Sequence, residues 1–160
     1  MKRITSDEKY MRLALKEAQK AYEKGEVPVG CIIVYKDKII ARSHNKRQNN
    51  KSVIGHAEII AIEKACKKLG TWVLEDTTMY VTLEPCLMCA GAILNARIKK
   101  VIYATAEPKF GVLGSLMNVY DIAKFNHQVE VKNGLLQEEA SKMLKEFFKK
   151  LRLKKDVTNN

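Results

Sequence analysis

The chain alternates between strand-like and helix-like segments, and this alternation restricts the fold more than any other feature. Short runs rich in β-branched residues, such as residues 29–35 and 100–105, are typical of buried strands. Apolar residues at helical intervals, as in residues 56–69, are typical of amphipathic helices. The predicted order αββαβαβ(β)α favours an α/β fold, a three-layer α/β/α sandwich with a mixed, mostly parallel five-stranded sheet.

Capping and turn residues predict where these segments begin and end. Thr5 and Glu8 have the spacing of a capping box at the start of the first helix, and Gly70 ends the second helix. Pro85 is expected in the first turn of a third helix that runs to about residue 96. The sequence also predicts a hairpin whose second strand begins at residue 39, strands at residues 78–83 and 129–132, and a basic C-terminal helix at about 137–155.

Length and composition limit the class of protein. The 160 residues contain no repeat or linker, so residues 1–160 are expected to form a single domain. A hydrophobic fraction of 46% argues against disorder, and no stretch reaches the roughly 18 apolar residues of a membrane helix. The first residues do not have the pattern of a signal peptide, so a cytoplasmic location without a membrane partner is expected. The net charge of +11 favours polyanionic partners such as RNA or DNA.

Two short motifs contain the residues most capable of chemistry. They are H-A-E at positions 56–58 and P-C-L-M-C at positions 85–89. Imidazole and thiolate are preferred zinc ligands, and a catalytic zinc ion keeps three protein ligands. The predicted ligands are His56, Cys86 and Cys89. Each motif precedes a predicted helix, and the helix N-terminus favours the thiolate form of cysteine.

Glu58 distinguishes a catalytic zinc site from a structural one. A carboxylate beside zinc-bound water can take a proton from it and deliver that proton to the substrate. The combination H-x-E and P-C-x-x-C is the signature of zinc-dependent base deaminases. The alternative is a closed structural site, which needs a fourth ligand that His44 or His127 could supply.

Residues 82–93, T-L-E-P-C-L-M-C-A-G-A-I, resemble the zinc motif of the bacterial tRNA-specific adenosine deaminases, a family of the cytidine deaminase-like superfamily. The resemblance extends over nearly the whole chain, including residues 26–30, 44–45, 114–117, 126–127 and 147–148. It implies a cytidine deaminase-like fold, one Zn²⁺ per subunit and a homodimer. The implied reaction is hydrolytic deamination of adenosine to inosine at the wobble position of a tRNA anticodon.

The same resemblance implies which residues contact the substrate, namely Val29, Asn45, Ala57, Glu84, Glu107 and Phe148. The chain departs from the family at Glu107, where the family commonly has Asp. Asn45 has an alternative interpretation as a turn residue, because asparagine often forms local hydrogen bonds to the backbone.

The predicted C-terminal helix has one acid, Glu146, among seven basic residues between positions 142 and 155. Such a run is either a solvated helix face or an RNA-binding surface. Phe147 and Phe148 within it favour RNA, because aromatic rings stack on unpaired bases while cations hold phosphates.

Two other functions remain compatible with the motifs. Deaminases of a free base or nucleoside, such as guanine or cytosine, share the zinc signature. A non-catalytic, zinc-stabilised RNA-binding module would also combine zinc ligands with a basic helix, but it has no use for Glu58 beside His56.

Overall fold

The computed structural model of the chain describes residues 3–159. Within that range there are four α-helices and five β-strands. The helices are α1 (Ser6–Glu23), α2 (Ala57–Leu69), α3 (Leu87–Asn95) and α4 (Gln137–Thr158). The strands are β1 (Gly30–Tyr35), β2 (Lys38–His44), β3 (Thr77–Leu83), β4 (Lys100–Thr105) and β5 (Glu130–Asn133). A 3₁₀ helix spans Val119–Asp121.

The strands form one sheet in the order β2-β1-β3-β4-β5. β1 pairs antiparallel with both β2 and β3, whereas β3 pairs parallel with β4 and β4 pairs parallel with β5. Four strands therefore run in one direction and β1 runs against them, which confirms the predicted mixed, mostly parallel sheet. The hairpin turn between β1 and β2 places Lys36 and Asp37 at φ 48° and 61°, as a tight two-residue hairpin turn requires.

Helices cover both faces of the sheet. On β1, Cys31 and Ile33 point towards the cluster that includes α2 and α3, while Ile32 and Val34 point towards α1 and α4. This alternation follows from the two-residue side-chain period of a strand. The predicted three-layer α/β/α sandwich is confirmed. On the α1 side the backbones approach closely at Gly30, where a Cβ atom would overlap the carbonyl oxygen of Ala14.

The predicted helix boundaries are confirmed where a capping residue set them. Thr5 caps α1 by accepting a hydrogen bond from the Glu8 N–H at 3.1 Å. Gly70 ends α2 in the left-handed region at φ 68°. The C-terminal helix extends to Thr158, about one turn beyond the predicted end.

The placement of Pro85 in the first turn of α3 was wrong. The helix begins at Leu87, and Cys86 is its N-cap with an extended backbone at φ −78°, ψ 175°. Pro85 therefore lies outside the helix, where its carbonyl oxygen accepts a hydrogen bond from the Val112 N–H at 3.2 Å. The carbonyl group of Pro85 thus bonds to the loop at residues 106–118 rather than to the first turn of α3.

The topology brings several chain segments to one edge of the sheet. Because β2, β3 and β4 run in the same direction, their carboxyl ends meet at the same edge. The segments that follow them are the loop at residues 46–55 before α2, the start of α3, and the loop at residues 106–118. β1 begins at this edge, just after Val29. No helix within residues 3–159 is long and apolar enough to cross a membrane.

Candidate active site

Three potential metal ligands meet where α2 and α3 begin. His56 is the N-cap of α2 and Cys86 is the N-cap of α3, and neither side chain caps its own helix. Instead, His56 Nδ1 lies 3.7 Å from Cys86 Sγ and 3.6 Å from Cys89 Sγ. The three ligand atoms lie within 4.8 Å of one another, so the group could hold a metal ion.

Neither of the other two histidines joins this group. His44 Nδ1 lies 3.4 Å from a carboxylate oxygen of Glu17, and His127 Nε2 lies 2.8 Å from the carbonyl oxygen of Ile98. Among residues 3–159, the group that could hold a metal ion consists of His56 and the two cysteines of the P-C-L-M-C motif. The arrangement therefore does not support the alternative of a closed structural site in which His44 or His127 is the fourth ligand.

The two thiols have opposite proton affinities. The pKa of Cys86 is lowered to about 4, because Cys89 and His56 form hydrogen bonds with its thiolate. The pKa of Cys89 is raised, because its own proton is used in the bond to Cys86 and because it is buried. Cys86 is therefore a thiolate at neutral pH, which is the form that binds metal ions.

Glu58 lies in the first turn of α2, two residues after His56, and is 4% exposed. Burial raises the pKa of its carboxyl group, although hydrogen bonds to the carboxylate oppose the shift. A raised pKa brings a carboxyl group closer to the pH at which it can both take up and release a proton, which suits general acid–base catalysis. Its position in the wall of the adjoining cavity places it within reach of a bound molecule.

A cavity of about 510 Å³ opens at this edge of the sheet, and His56, Glu58 and Cys86 line it. All six residues predicted to contact the substrate also line it, namely Val29, Asn45, Ala57, Glu84, Glu107 and Phe148. Eight further residues line it. Glu26 and Val27 belong to the segment at residues 26–30 that the family resemblance places along the base pocket, and no individual role was predicted for Arg47, Gln48, Val53, Leu83, Met88 and Phe110. Apart from Glu26, Arg47 and Gln48, these have apolar side chains, for which a single sequence offers no signal beyond that of an ordinary core or surface position.

The hydrogen bonds of Asn45 are those of a turn residue, the alternative interpretation of this position. Its Nδ2 donates a hydrogen bond to the Val27 carbonyl oxygen and its Oδ1 accepts one from the Arg47 N–H, each at 3.3 Å. These bonds shape the turn after β2. One amide hydrogen and one lone pair of Oδ1 have no partner in these two bonds, so Asn45 can also contact a molecule in the cavity.

Glu26 holds the loop at residues 46–55, which forms part of the same cavity wall. It is fully buried, and its two carboxylate oxygens accept hydrogen bonds from the N–H groups of Gln48 and Asn49, each at 2.9 Å. Backbone groups in a loop have no strand or helix partners, and a buried carboxylate can replace those partners. In the sequence, Glu26 was indicated only as part of the segment at residues 26–30 that the family resemblance places along the base pocket.

The two consecutive phenylalanines of α4 have different surroundings. Phe147 is buried and packs edge-to-face on Tyr22, with ring centroids 5.8 Å apart. Phe148 is 39% exposed and lines the cavity. Successive helical residues point about 100° apart, so one ring anchors the helix while the next faces the cavity.

Comparison with known proteins agrees with this fold and site. Residues 5–152 match the MafB19-like deaminase family. The chain is 53% identical over 152 residues to the tRNA-specific adenosine deaminase of Bacillus subtilis (strain 168), which covers 95% of this chain and 94% of the relative. The chain belongs to the tRNA-specific adenosine deaminase family.

Solved structures give the same assignment. A tRNA deaminase studied for A-to-I editing at the wobble position of transfer RNA is 40% identical, with a TM-score of 0.82 over 85% of this chain and 99% of that chain. Guanine deaminase from Bacillus subtilis is 40% identical as well, but its TM-score is 0.59 over 62% of this chain and 64% of that chain. The fold is therefore that of the cytidine deaminase-like proteins, and the tRNA deaminase matches over a larger share of the chain.

The geometry of the His56 group predicts which cysteines matter for metal binding. We expect Cys86→Ser and Cys89→Ser each to lower metal affinity at least about tenfold, because each removes a soft ligand. Cys66→Ser is the matched control, since Cys66 packs on the core at the apolar face of α2. Elemental analysis of the purified variants measures the bound metal. Equal metal content in all three variants would contradict the predicted ligand set.

Proposed function

We propose that this protein hydrolyses adenosine to inosine at the wobble position of a tRNA anticodon, in the cytoplasm, with residues 1–160 acting as one domain. The observation that carries the proposal is that His56, Glu58 and Cys86 line one cavity, with Cys89 buried against His56, in a chain 53% identical to a tRNA-specific adenosine deaminase. The proposal assigns the reaction to these residues and the choice of RNA to the residues around the cavity.

The donor set fits Zn²⁺. With Zn–S bonds of about 2.3 Å and Zn–N bonds of about 2.0 to 2.1 Å, a tetrahedral ion separates its nitrogen and sulfur ligands by about 3.6 Å. The observed separations between His56 Nδ1 and the two sulfur atoms are 3.6 and 3.7 Å. Three protein ligands are typical of a catalytic rather than a structural zinc site. Bound there, one zinc ion per subunit would make water a nucleophile near neutral pH.

Glu58 is the proposed proton carrier. Water adds to C6 of adenine and the exocyclic amino group leaves as ammonia, so the reaction consumes one water molecule and releases one ammonia molecule. In this reaction Glu58 takes a proton from the attacking water and passes it to the amino nitrogen. Its buried position excludes bulk water from these transfers, and the raised pKa of its carboxyl group favours holding the proton between them.

We propose that the six cavity residues hold the target nucleotide. Phe148, which is partly exposed, offers a ring on which a base can stack. The remaining amide capacity of Asn45 suits the edge of a base or a ribose hydroxyl, and backbone groups at Ala57 and Glu84 lie at the same cavity. Glu107 retains an acceptor for a hydroxyl group, although its Oε1 already accepts a hydrogen bond from the Lys109 N–H at 3.0 Å.

The proposed partner is the anticodon arm of tRNA, bound in part by the basic end of α4. Phe148 connects this helix to the cavity, and Lys149 and Arg152 follow it on exposed positions. A homodimer is also proposed. This proposal rests on the family resemblance, and Leu87, Phe110 and Leu116, which are 56–68% exposed, are the apolar side chains near the cavity loops that a partner subunit would cover.

A free-base deaminase is the second candidate, because guanine deaminase from Bacillus subtilis is 40% identical over 62% of this chain. Free-base deaminases also use the H-x-E and P-C-x-x-C motifs, so the proposed catalytic residues do not distinguish the two functions. The basic face of α4 favours RNA, since a neutral free base gains nothing from a row of cations.

The first test uses the purified zinc-loaded protein and an anticodon stem-loop with adenosine at the wobble position. We expect inosine at that position and at no other adenosine, because the cavity accepts one unpaired base beside Glu58. Mass spectrometry of nuclease digests measures it. If a folded, zinc-containing protein forms no inosine but releases ammonia from guanine or cytosine, the second candidate replaces the proposal.

Substitution of Glu58 tests the proton carrier. We expect Glu58→Ala to lower the rate of inosine formation by about 10²- to 10⁴-fold, which is the usual contribution of general acid–base catalysis. The zinc content should stay close to that of the unmodified protein, because Glu58 is outside the ligand group. Glu63→Ala on the exposed side of the same helix is the control and should retain full activity. Comparable rates in the two variants would refute this role.

The salt dependence of binding tests the basic end of α4. Each phosphate contact steepens the dependence of log affinity on log salt concentration by roughly 0.7 to 0.9. The pair Lys149→Ala and Arg152→Ala should therefore reduce this slope by about one to two for the stem-loop, measured by fluorescence anisotropy. The pair Lys67→Ala and Lys68→Ala is the control, because it removes the same charge about 15 Å along α2 from the site. An unchanged slope in the α4 variant would count against RNA binding there.

A further inference from the structure

The side chain of Glu84 lies between the metal-binding segment and a long loop. Glu84 follows β3 and is 3% exposed. Its Oε1 accepts hydrogen bonds from the Glu107 N–H at 3.1 Å and from the Ser115 hydroxyl. Its Oε2 accepts hydrogen bonds from the N–H groups of Leu113 at 3.0 Å and Ser115 at 3.1 Å. One carboxylate thus receives four donors from both ends of a single loop.

The backbone of the loop is shaped to accommodate this carboxylate. At Gly111 a Cβ atom would overlap the carboxyl group of Glu84, so the position has room for glycine alone. Nearby, the Tyr103 hydroxyl donates a hydrogen bond to the Leu113 carbonyl oxygen at 3.0 Å. The carboxylate therefore occupies a fitted space rather than a general polar surface.

The loop brings two of its residues to the cavity. Glu107 and Phe110 both line it, and Phe110 is 68% exposed. Between residues 106 and 118 there is no helix or strand to hold the backbone. The buried apolar contacts of Val112 and Leu113 hold the far part of the loop, but Glu107 and Phe110 depend on hydrogen bonds for their position.

We propose that Glu84 is a positioning residue whose carboxylate sets the place of the loop at residues 106–115 and thereby the affinity for the nucleotides of the substrate. The proposal rests on the proposed function for the identity of that substrate. Glu84 acts through Glu107 and Phe110 and takes no part in the reaction, because its oxygens are committed to the four loop donors. Binding should therefore depend on Glu84 more than the chemical step does.

The variant Glu84→Gln tests this separation. Whichever way the new amide turns, its NH₂ group faces at least one of the N–H donors of Glu107, Leu113 and Ser115 and leaves it without an acceptor. We expect the KM for the anticodon stem-loop to rise about tenfold or more, with kcat changed less than about threefold. Amide hydrogen exchange should accelerate at these three residues, and the zinc content should stay unchanged.

Two further variants separate positioning from general destabilisation. Gly111→Ala keeps the carboxylate but displaces the loop, so it should also raise the KM and leave kcat nearly constant. Asp7→Asn is the matched acid-to-amide control on the opposite face of the sheet, where Asp7 accepts a hydrogen bond from the Tyr80 hydroxyl at 2.6 Å. It should alter neither the kinetics nor the exchange of the loop.

The outcomes distinguish this proposal from the proposed function. Inosine formation by the unmodified protein tests the function, whereas hydrogen exchange in Glu84→Gln needs no substrate. If Glu84→Gln lowers kcat at constant KM, Glu84 acts on the chemical step and the positioning role is overturned. If loop exchange and KM are both unchanged, the carboxylate does not hold the loop.

Discussion

The site depends on two helices that begin side by side at one edge of the sheet. The N-terminus of a helix has N–H groups without helical partners and carries partial positive charge, so it favours anionic side chains. At α2 and α3 these anionic or ligating groups are Glu58, Cys86 and Cys89, with His56 between them. Usual N-cap residues would satisfy the helix ends themselves. Here His56 and Cys86 occupy the N-cap positions and their side chains approach each other instead of capping the helices. The helix ends lose the stability of a side-chain cap, and the side chains form a group that could hold a metal ion.

Strand direction is the reason the two helices begin at the same edge. β1 lies between β2 and β3 and runs antiparallel to both, so these two strands share a direction although they are not neighbours. Their carboxyl ends therefore lead into α2 and α3 on the same side. His56 and Cys86 are 30 positions apart, and the chain between them forms α2 and β3, a crossover of the length that joins two parallel strands.

Loops complete the cavity, and buried carboxylates hold the loops. Glu26 supports the loop before α2, and Glu84 supports the loop after β4. Burying a carboxylate costs free energy unless hydrogen bonds satisfy it, and loop N–H groups need acceptors for the same reason. Each hydrogen bond therefore satisfies both a buried carboxylate oxygen and a loop N–H group. These hydrogen bonds keep the loops at residues 46–55 and 106–118 in a defined conformation around the cavity, although neither loop has regular secondary structure.

The proposed catalytic group concerns the reaction, whereas the residues around the cavity concern the choice of substrate. The proposed catalytic group, His56, Glu58 and the two cysteines, does not by itself choose a substrate, since a guanine deaminase also has a similar fold. Under the proposed function, residues around the cavity such as Phe148, Glu107 and the basic end of α4 select between a free base and an anticodon. Phe148, Lys149 and Arg152 are exposed, whereas Glu58 and Cys89 are buried, so a polynucleotide can contact the end of α4 beyond the reach of a small substrate.

The sequence by itself determined the order of the elements and indicated His56, Cys86 and Cys89 as potential metal ligands, because both depend on residue type and short-range spacing. It misplaced Pro85 by treating its local preference as decisive, whereas a hydrogen bond from Val112 to the Pro85 carbonyl takes the place of a helical turn. It did not show which groups bond to the Glu26 carboxylate or which residue packs on Phe147. Only the tertiary structure decided these points, because the donors that surround Glu26 and the partner that buries Phe147 lie more than 20 residues away along the chain.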